Sequence, residues 1–328
     1  MTGRLLLIAS CLFFGLHSGP AAAQGEHSTW ITYPSAAPPA AMHGWYAAVE
    51  ATFLRPHNFN SGPITFENAG NEFAIDDLAD LDTLEGAPRL WLGHRGARWG
   101  VRARYWTYRA HAAGAFEDIV SEDDFRFASA MQQLSAKTAD LEVTRGFCHG
   151  HWRGDLFLGG RWAEIERNAA MNVILFEADI FDPAQQGARS IASGVGLTFG
   201  WDGRRPIGDW GLAMVLNARG SVLWGDRASR VHQSYADPET IVVQYQRTED
   251  HGTMWIAELQ AGLEWSGPLR HLNAEAFTHV VFEYQFWNSI DQPRAVSWQT
   301  VNDTHMVVGS LDSSVDFVGV AWAIGLRR

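Results

Sequence analysis

Apolar and polar side chains alternate with a period of two in ten separate stretches of this chain, the first beginning at Trp45. The stretch "WGVRARYWTYRA", residues 99–110, sets the type. Val101, Ala103, Tyr105 and Thr107 fall on one side, and Arg102, Arg104, Trp106 and Tyr108 on the other. Successive side chains of a strand point to opposite faces, so this segment has one apolar face and one face bearing two guanidinium groups. The other nine stretches are 45–54, 88–94, 138–147, 152–165, 190–201, 210–224, 255–265, 271–287 and 315–326.

The connections between these stretches alternate long and short. "RGAR", "CHGH", "DGRRPIGD" and "SGPLR" are the short ones, and the five long ones hold the most acidic parts of the chain. Glu67, Glu72, Asp76, Asp77, Asp80, Asp82 and Glu85 lie in the first; Glu117, Asp118, Glu122, Asp123 and Asp124 lie in the second. A soluble sandwich lacks so strict an alternation, whereas transmembrane barrels combine short periplasmic turns, long outer loops and an even strand number. No run approaches the roughly 18 apolar residues of a membrane helix, which leaves a soluble protein or a closed barrel. The pattern therefore predicts an all-β fold, a transmembrane antiparallel up-and-down β-barrel of about ten strands within a range of eight to twelve. The upper count would recruit pieces around residues 64–66 and 73–75. Residues 240–248 and 295–308, with Asn302-Asp303 at a turn, read as strands extended above the membrane.

Tryptophan positions sharpen the choice. Trp255 and Trp265 are ten residues apart on one face, roughly 33 Å along a strand and about 24 Å once tilted, close to the apolar band between two aromatic girdles. Trp152 and Trp162 repeat the spacing; Trp45, Trp99, Trp201 and Trp210 sit beside short turns or the first strand, and Trp224 closes another stretch. These nine are predicted membrane-interface aromatics.

The flanking sequence adds compartment and partners. Arg4, the apolar run from Leu5 to Leu16, Gly19-Pro20 and Ala21 to Ala23 read as a secretory signal peptide over 1–23. Residues 24–43, rich in Ala, Pro and Ser, read as a flexible periplasmic lead-in, and 44–328 as the barrel. The predicted location is the bacterial outer membrane, with outer-membrane lipid, small solutes or ions and the barrel-assembly machinery as partners. A formal net charge of −12 argues against nucleic acid.

Three fragments carry a family resemblance: "WYAAVEATFLRP", "PRLWLGHRGARWGVRARYWTY" and "DLEVTRGFCHGHWRGDLFLGGRWAEIE". They resemble the Legionella-type major outer membrane protein family, including planctomycete-like relatives, in detail over 45–167 and in layout beyond. The resemblance implies a pore-forming outer-membrane barrel. The chain departs from that type in ending Leu326-Arg327-Arg328 where an aromatic residue is usual.

The charged face supplies the candidate site. Arg102, Arg104, Asp140, Glu142, Arg153, Asp155, Arg161 and Arg219 are predicted to line the interior, joined by Glu258, Glu264, Glu275, His279 and Glu283 and by the amides Asn217 and Gln260. Arginines and carboxylates on neighbouring strands can pair there. The first reading is a narrow porin-like pore for small solutes. The alternatives are a filled, non-conducting structural or adhesive surface barrel acting through its outer loops, and a soluble secreted β-sandwich. Glu258, Glu264, Glu275 and Glu283 face few arginines on their own strands, which predicts a cation preference for an open path. No enzyme, cofactor or metal is expected. Asp250, His251, Asp123 and Asp124 could form a rim site only by assembly across loops, and "CHGH" at 148–151 matches no zinc spacing. Gly159-Gly160 and "GVGLTFG" lack the residues of a phosphate loop and read as small residues on a tightly curved wall.

Overall fold

The computed structural model describes residues 44–57, 64–68, 71–74, 79, 81–121, 124–177, 180–237, 240–289, 296–299, 305–308 and 314–328. The signal peptide, the lead-in, Asp76, Asp77, Asp80, Asp123 and the Asn302-Asp303 turn lie outside them. The strands are β1 (Gly44–His57), β2 (Ile64–Asn68), β3 (Asn71–Ala74), β4 (Glu85–Arg95), β5 (Trp99–Ser121), β6 (Asp124–His149) and β7 (Trp152–Glu177). They continue with β8 (Ile180–Ile207), β9 (Leu212–Asp237), β10 (Thr240–Leu269), β11 (Ala274–Ser289), β12 (Val296–Gln299), β13 (His305–Val308) and β14 (Ser314–Arg327).

Ten of these close into an antiparallel ring in the order β1-β14-β11-β10-β9-β8-β7-β6-β5-β4. Every alternating stretch in the sequence is one of its strands. Closure leaves no unpaired edge at that level, the condition for placing a sheet in hydrocarbon. The count is ten, because β2 and β3 join β12 and β13 in a separate four-stranded sheet. Its order, β12-β13-β2-β3, repeats that of the ring strands they adjoin in sequence, β11-β14-β1-β4.

The hydrogen-bond register fixes the size of the ring. From His57 on β1 it passes through Asp316, Phe286, Ala257, Gly220, Phe199, Leu158, Val143, Val101 and His94, and returns to β1 at Trp45. His57 and Trp45 are twelve positions apart, so ten strands carry a shear of twelve. That combination implies a tilt of about 40° and a backbone radius of about 10 Å.

With that tilt, Trp45, Trp99 and Trp265 fall within about 2 Å of one height, and Trp152 and Trp210 a few ångströms beyond. Trp224 and Trp255 share a second height about 25 Å away, the thickness of the apolar band of a membrane barrel. Trp162 and Trp201 lie within the band, and Trp201 packs on Trp152 at 5.7 Å between ring centroids. Between the girdles the outer surface is apolar and open: Val195 is 63% exposed, Leu141 69%, and Leu92, Leu158, Leu197, Phe282 and Ile324 are all exposed. In water such a continuous belt would be a site of association. Val101 and Tyr105 belong to it, and Arg102 and Arg104 point inside.

Strands β5 to β10 run far past the second girdle, β10 by about 35 Å. Three of the long connections are therefore mostly hairpin, with β5–β6, β7–β8 and β9–β10 paired out to their tips. Here the contrast between the faces weakens. Ala110, Ala128, Ala130, Ala169, Met171 and Val173 turn inward and are buried, beside Gln132 and Gln186, and the exposed side mixes His111, Asn172 and Arg189 with Met131, Val243 and Tyr245. Water replaces lipid outside, so that side admits polar residues.

Small residues let the wall bend. A Cβ on Gly159 would sit 2.1 Å from the Leu141 carbonyl oxygen, and one on Gly196 2.0 Å from that of Val222. Gly160 points the other way and has room.

The belt makes a differential prediction. Leu158→Arg, at mid-belt, should destabilise the barrel in lipid vesicles by about 2–4 kcal/mol, whereas Met131→Arg, exposed above the second girdle, should be close to neutral. Equal effects in urea unfolding would contradict the belt.

Candidate functional site: the charged interior

At a radius of about 10 Å, side chains from opposite walls meet. The interior is built in three layers. The middle one begins with register neighbours: Glu50 faces Arg89, Arg102 faces Glu142, Asp140 faces Arg161 and Glu258 faces Arg219. Five arginines, at 89, 102, 104, 161 and 219, meet six carboxylates, at 50, 140, 142, 202, 258 and 283.

Several of these pairs cross the barrel. Arg104 on β5 reaches Glu258 on β10 at 2.5 Å, five strands away round a ten-stranded ring, and so spans its diameter. Arg161 holds Asp140 with two hydrogen bonds, at 2.6 and 2.9 Å, and Glu258 with a third at 2.6 Å. Arg89, 0% exposed, bridges Glu50 and Glu283; Glu283 accepts at 2.5 and 2.9 Å. Arg102 pairs with Glu142 and Asp202, and Arg219 with Glu142 and Asp140. Phe157 lies between two of the cations, 4.7 Å from the Arg102 guanidinium and 4.3 Å from that of Arg219. Gln260 donates to Glu283 at 2.8 Å and accepts from Asn217 at 2.8 Å. Paired and multiply hydrogen-bonded charges are the form in which ions tolerate a dry interior.

Above this network lies an apolar layer of Leu54, Trp106, Tyr108, Leu134, Ile165, Leu223, Ile256, Trp287 and Phe317. Trp106 contacts Trp287 and Phe317 at 6.0 Å between centroids, and Tyr108 meets Phe317 edge-on at 4.9 Å. Their polar ends are occupied: Trp106 donates to Thr52, Trp287 to Gln285 and Tyr108 to the Leu54 carbonyl. Below the network, at the short-turn end, Arg95 pairs with Asp155. Glu264 pairs with Arg204 at 2.8 Å and with Arg327 at 3.2 Å. A cavity within the middle layer, bordered by Trp91, Arg102, Arg104, Asp202, Asn217 and Glu258, has a volume of about 10 Å³, room for one water.

The predicted interior residues are largely brought together. Arg102, Arg104, Asp140, Glu142, Asp155, Arg161, Arg219, Glu258, Glu264, His279 and Glu283 are buried. Arg153 is not: it is exposed at the short-turn rim, where the ring ends before its side chain can be covered. Glu275 sits at that rim too, half-buried and held by Arg327 at 2.7 Å. The expectation of an acidic wall with few opposing arginines is overturned. Arg104, Arg161 and Arg219 reach Glu258, Arg204 and Arg327 reach Glu264, and Arg89 reaches Glu283. Arg219 is the register neighbour of Glu258; the other partners come from two or more strands away, where neighbour-strand reasoning does not reach. Glu50, Arg89 and Asp202 were missed, although each lies on the inward face of its own alternating strand.

Among the described rim residues, His251 pairs with Asp226 at 2.5 Å, both exposed on the outer wall above Trp224 and Trp255, and Asp250 belongs to the opposite face of β10; Asp123 lies outside them. Cys148 is exposed, and no group of three or more His, Cys, Asp or Glu is placed to hold a metal among the described residues.

No family model matches the chain. No curated protein matches it either. Solved structures with a similar layout include the outer membrane protease OmpT from Escherichia coli, at 12% identity and TM-score 0.38 over 87% of this chain and 96% of that one. The CymD monoaromatic hydrocarbon channel gives 9% identity and TM-score 0.25, covering 87% and 88%. A Pseudomonas aeruginosa FadL homologue gives 9% and 0.23, covering 88% and 90%. The likenesses are distant, and the fold assignment rests on the closed ring and its register.

Removing one member of the buried network should be severe. Arg89→Met leaves Glu50 and Glu283 without their cation and should lower stability by about 3–5 kcal/mol; Glu50→Gln and Glu283→Gln added to it should restore most of that loss. An unchanged denaturation midpoint for Arg89→Met would mean that water reaches the pair.

Proposed function

We propose that the chain is an outer-membrane β-barrel that does not conduct, and that it works as a structural or adhesive surface barrel through the part that projects beyond the membrane. The observation that carries this reading is the contact between Arg104 and Glu258 across the full diameter, capped by the Trp106–Trp287–Phe317 layer. A path for solutes would have to break both. Rings of this strand number lie near the side-chain-filled end of the size range, far from the 16 to 18 strands of open porins.

The projecting walls of β5 to β10 give such a protein its working surface: outward, His111, Asn172 and Arg189 stand beside the apolar Met131, Val243 and Tyr245. The apolar belt and the two tryptophan heights support placement in the outer membrane, with lipid and the barrel-assembly machinery as partners. Membership of the Legionella-type family is proposed with it, as a shared barrel type whose interior in this chain is closed.

The competing reading is a small-solute pore, and planar-bilayer recording separates the two. The purified protein should insert without steady current steps in molar potassium chloride. A reproducible ohmic step would overturn the closed reading and return the narrow pore.

A further inference from the structure

Charge is segregated along this barrel in a way that neither the interior nor the projecting hairpins use. Each of the four short turns carries an exposed arginine: Arg98 between β4 and β5, Arg145 beside the β6–β7 turn, Arg205 before the β8–β9 turn and Arg270 between β10 and β11. None of the four has a carboxylate partner among the described residues. The acids of this end are already engaged. Asp155 pairs with Arg95, Glu264 with Arg204 and Arg327, and Glu275 with Arg327. Asp209, exposed in the β8–β9 turn, is the remaining one among the described turn residues. A chain of formal net charge −12 thus ends in a ring of unpaired positive charge.

The height of that ring is a second, independent observation. The register and tilt that align Trp45, Trp99 and Trp265 put Arg145 and Arg205 within about 4 Å of the same level, with Arg98 just beyond it and Arg270 about 10 Å beyond. Arg145 lies over the Trp99 ring at 5.3 Å. Tryptophan marks the boundary of the apolar band, and a guanidinium resting on it reaches the layer where lipid phosphates lie. Exposed arginines spaced round a ring at headgroup depth, without protein counter-charges, suit phosphodiesters better than a single compact ligand.

We propose that the short-turn rim binds the anionic phospholipid headgroups of the periplasmic leaflet, one patch per turn, and so fixes the depth and orientation of the barrel. This rests on the outer-membrane reading above. It assigns the rim a lipid class, and the conductance of the interior has no bearing on it.

The test uses the full chain in detergent micelles with phosphatidylglycerol and phosphatidylcholine added in turn, bound lipids being counted by native mass spectrometry. Wild type should prefer phosphatidylglycerol by roughly fivefold for each occupied patch at low salt. A variant with Arg98, Arg145, Arg205 and Arg270 all changed to Gln should bind the two lipids equally, and the matching Lys variant should keep the preference. Equal binding by wild type, or a preference that survives the Gln variant, would overturn the proposal. Mobility in SDS with and without boiling, recorded for every chain, keeps the two readings apart. A chain without a heat-dependent shift is no membrane barrel, whereas a shifted barrel indifferent to phosphatidylglycerol refutes the rim alone.

Discussion

The register of twelve positions round ten strands is the constraint on which the rest of this molecule depends. It sets a tilt of about 40° and a radius of about 10 Å, and these leave no room for a column of water once side chains point inward. Any residue on the inner face must then meet residues from the far wall. For charged residues this is acceptable only in pairs, and the interior obeys: Arg104 finds Glu258 across the diameter, and Arg89 and Arg161 each bridge two carboxylates. The network is less a device for stability than a consequence of narrowness. Well-packed apolar residues would do as well energetically, and what the ion pairs add is directional: each arginine has a fixed set of partners, which favours one register over its neighbours.

The same geometry explains the layering. Within the membrane band the environment outside is apolar, so charge can sit only inside. Beyond it water lies outside, and the inside becomes the better place for Ala128, Met171 and Val173. The apolar cap of Trp106, Trp287 and Phe317 stands where the ring passes from one regime to the other. Its members belong to β5, β11 and β14, near where the short side of the ring ends and the β5–β10 wall continues alone.

Much of this was legible from alternation. The period of two located all ten ring strands, because in the membrane band the contrast between Val101 or Leu158 outside and Arg102 or Arg161 inside is large. The same period faded above the band, where Ala110 and Ala130 alternate with residues of middling polarity; the hairpins therefore read as loops. Arg89 and Glu50 lie on legible faces, and they face each other across β1 and β4. The pairing of Glu258 with Arg104 was beyond reach, since nothing local in sequence indicates which residues meet across a ring until its shear is known. The tryptophan heights behaved similarly. Trp45, Trp99 and Trp265 gained a common level only after the register was followed round, and the same step moved Trp201 inside the band.

The account stands or falls on whether opposite walls touch, and a double-mutant cycle on Arg104→Met and Glu258→Gln in lipid vesicles measures that directly. Two side chains in contact in a dry interior should give a coupling free energy of at least about 1 kcal/mol. A coupling indistinguishable from zero would mean that water separates the two walls, and the barrel would then be open along its axis.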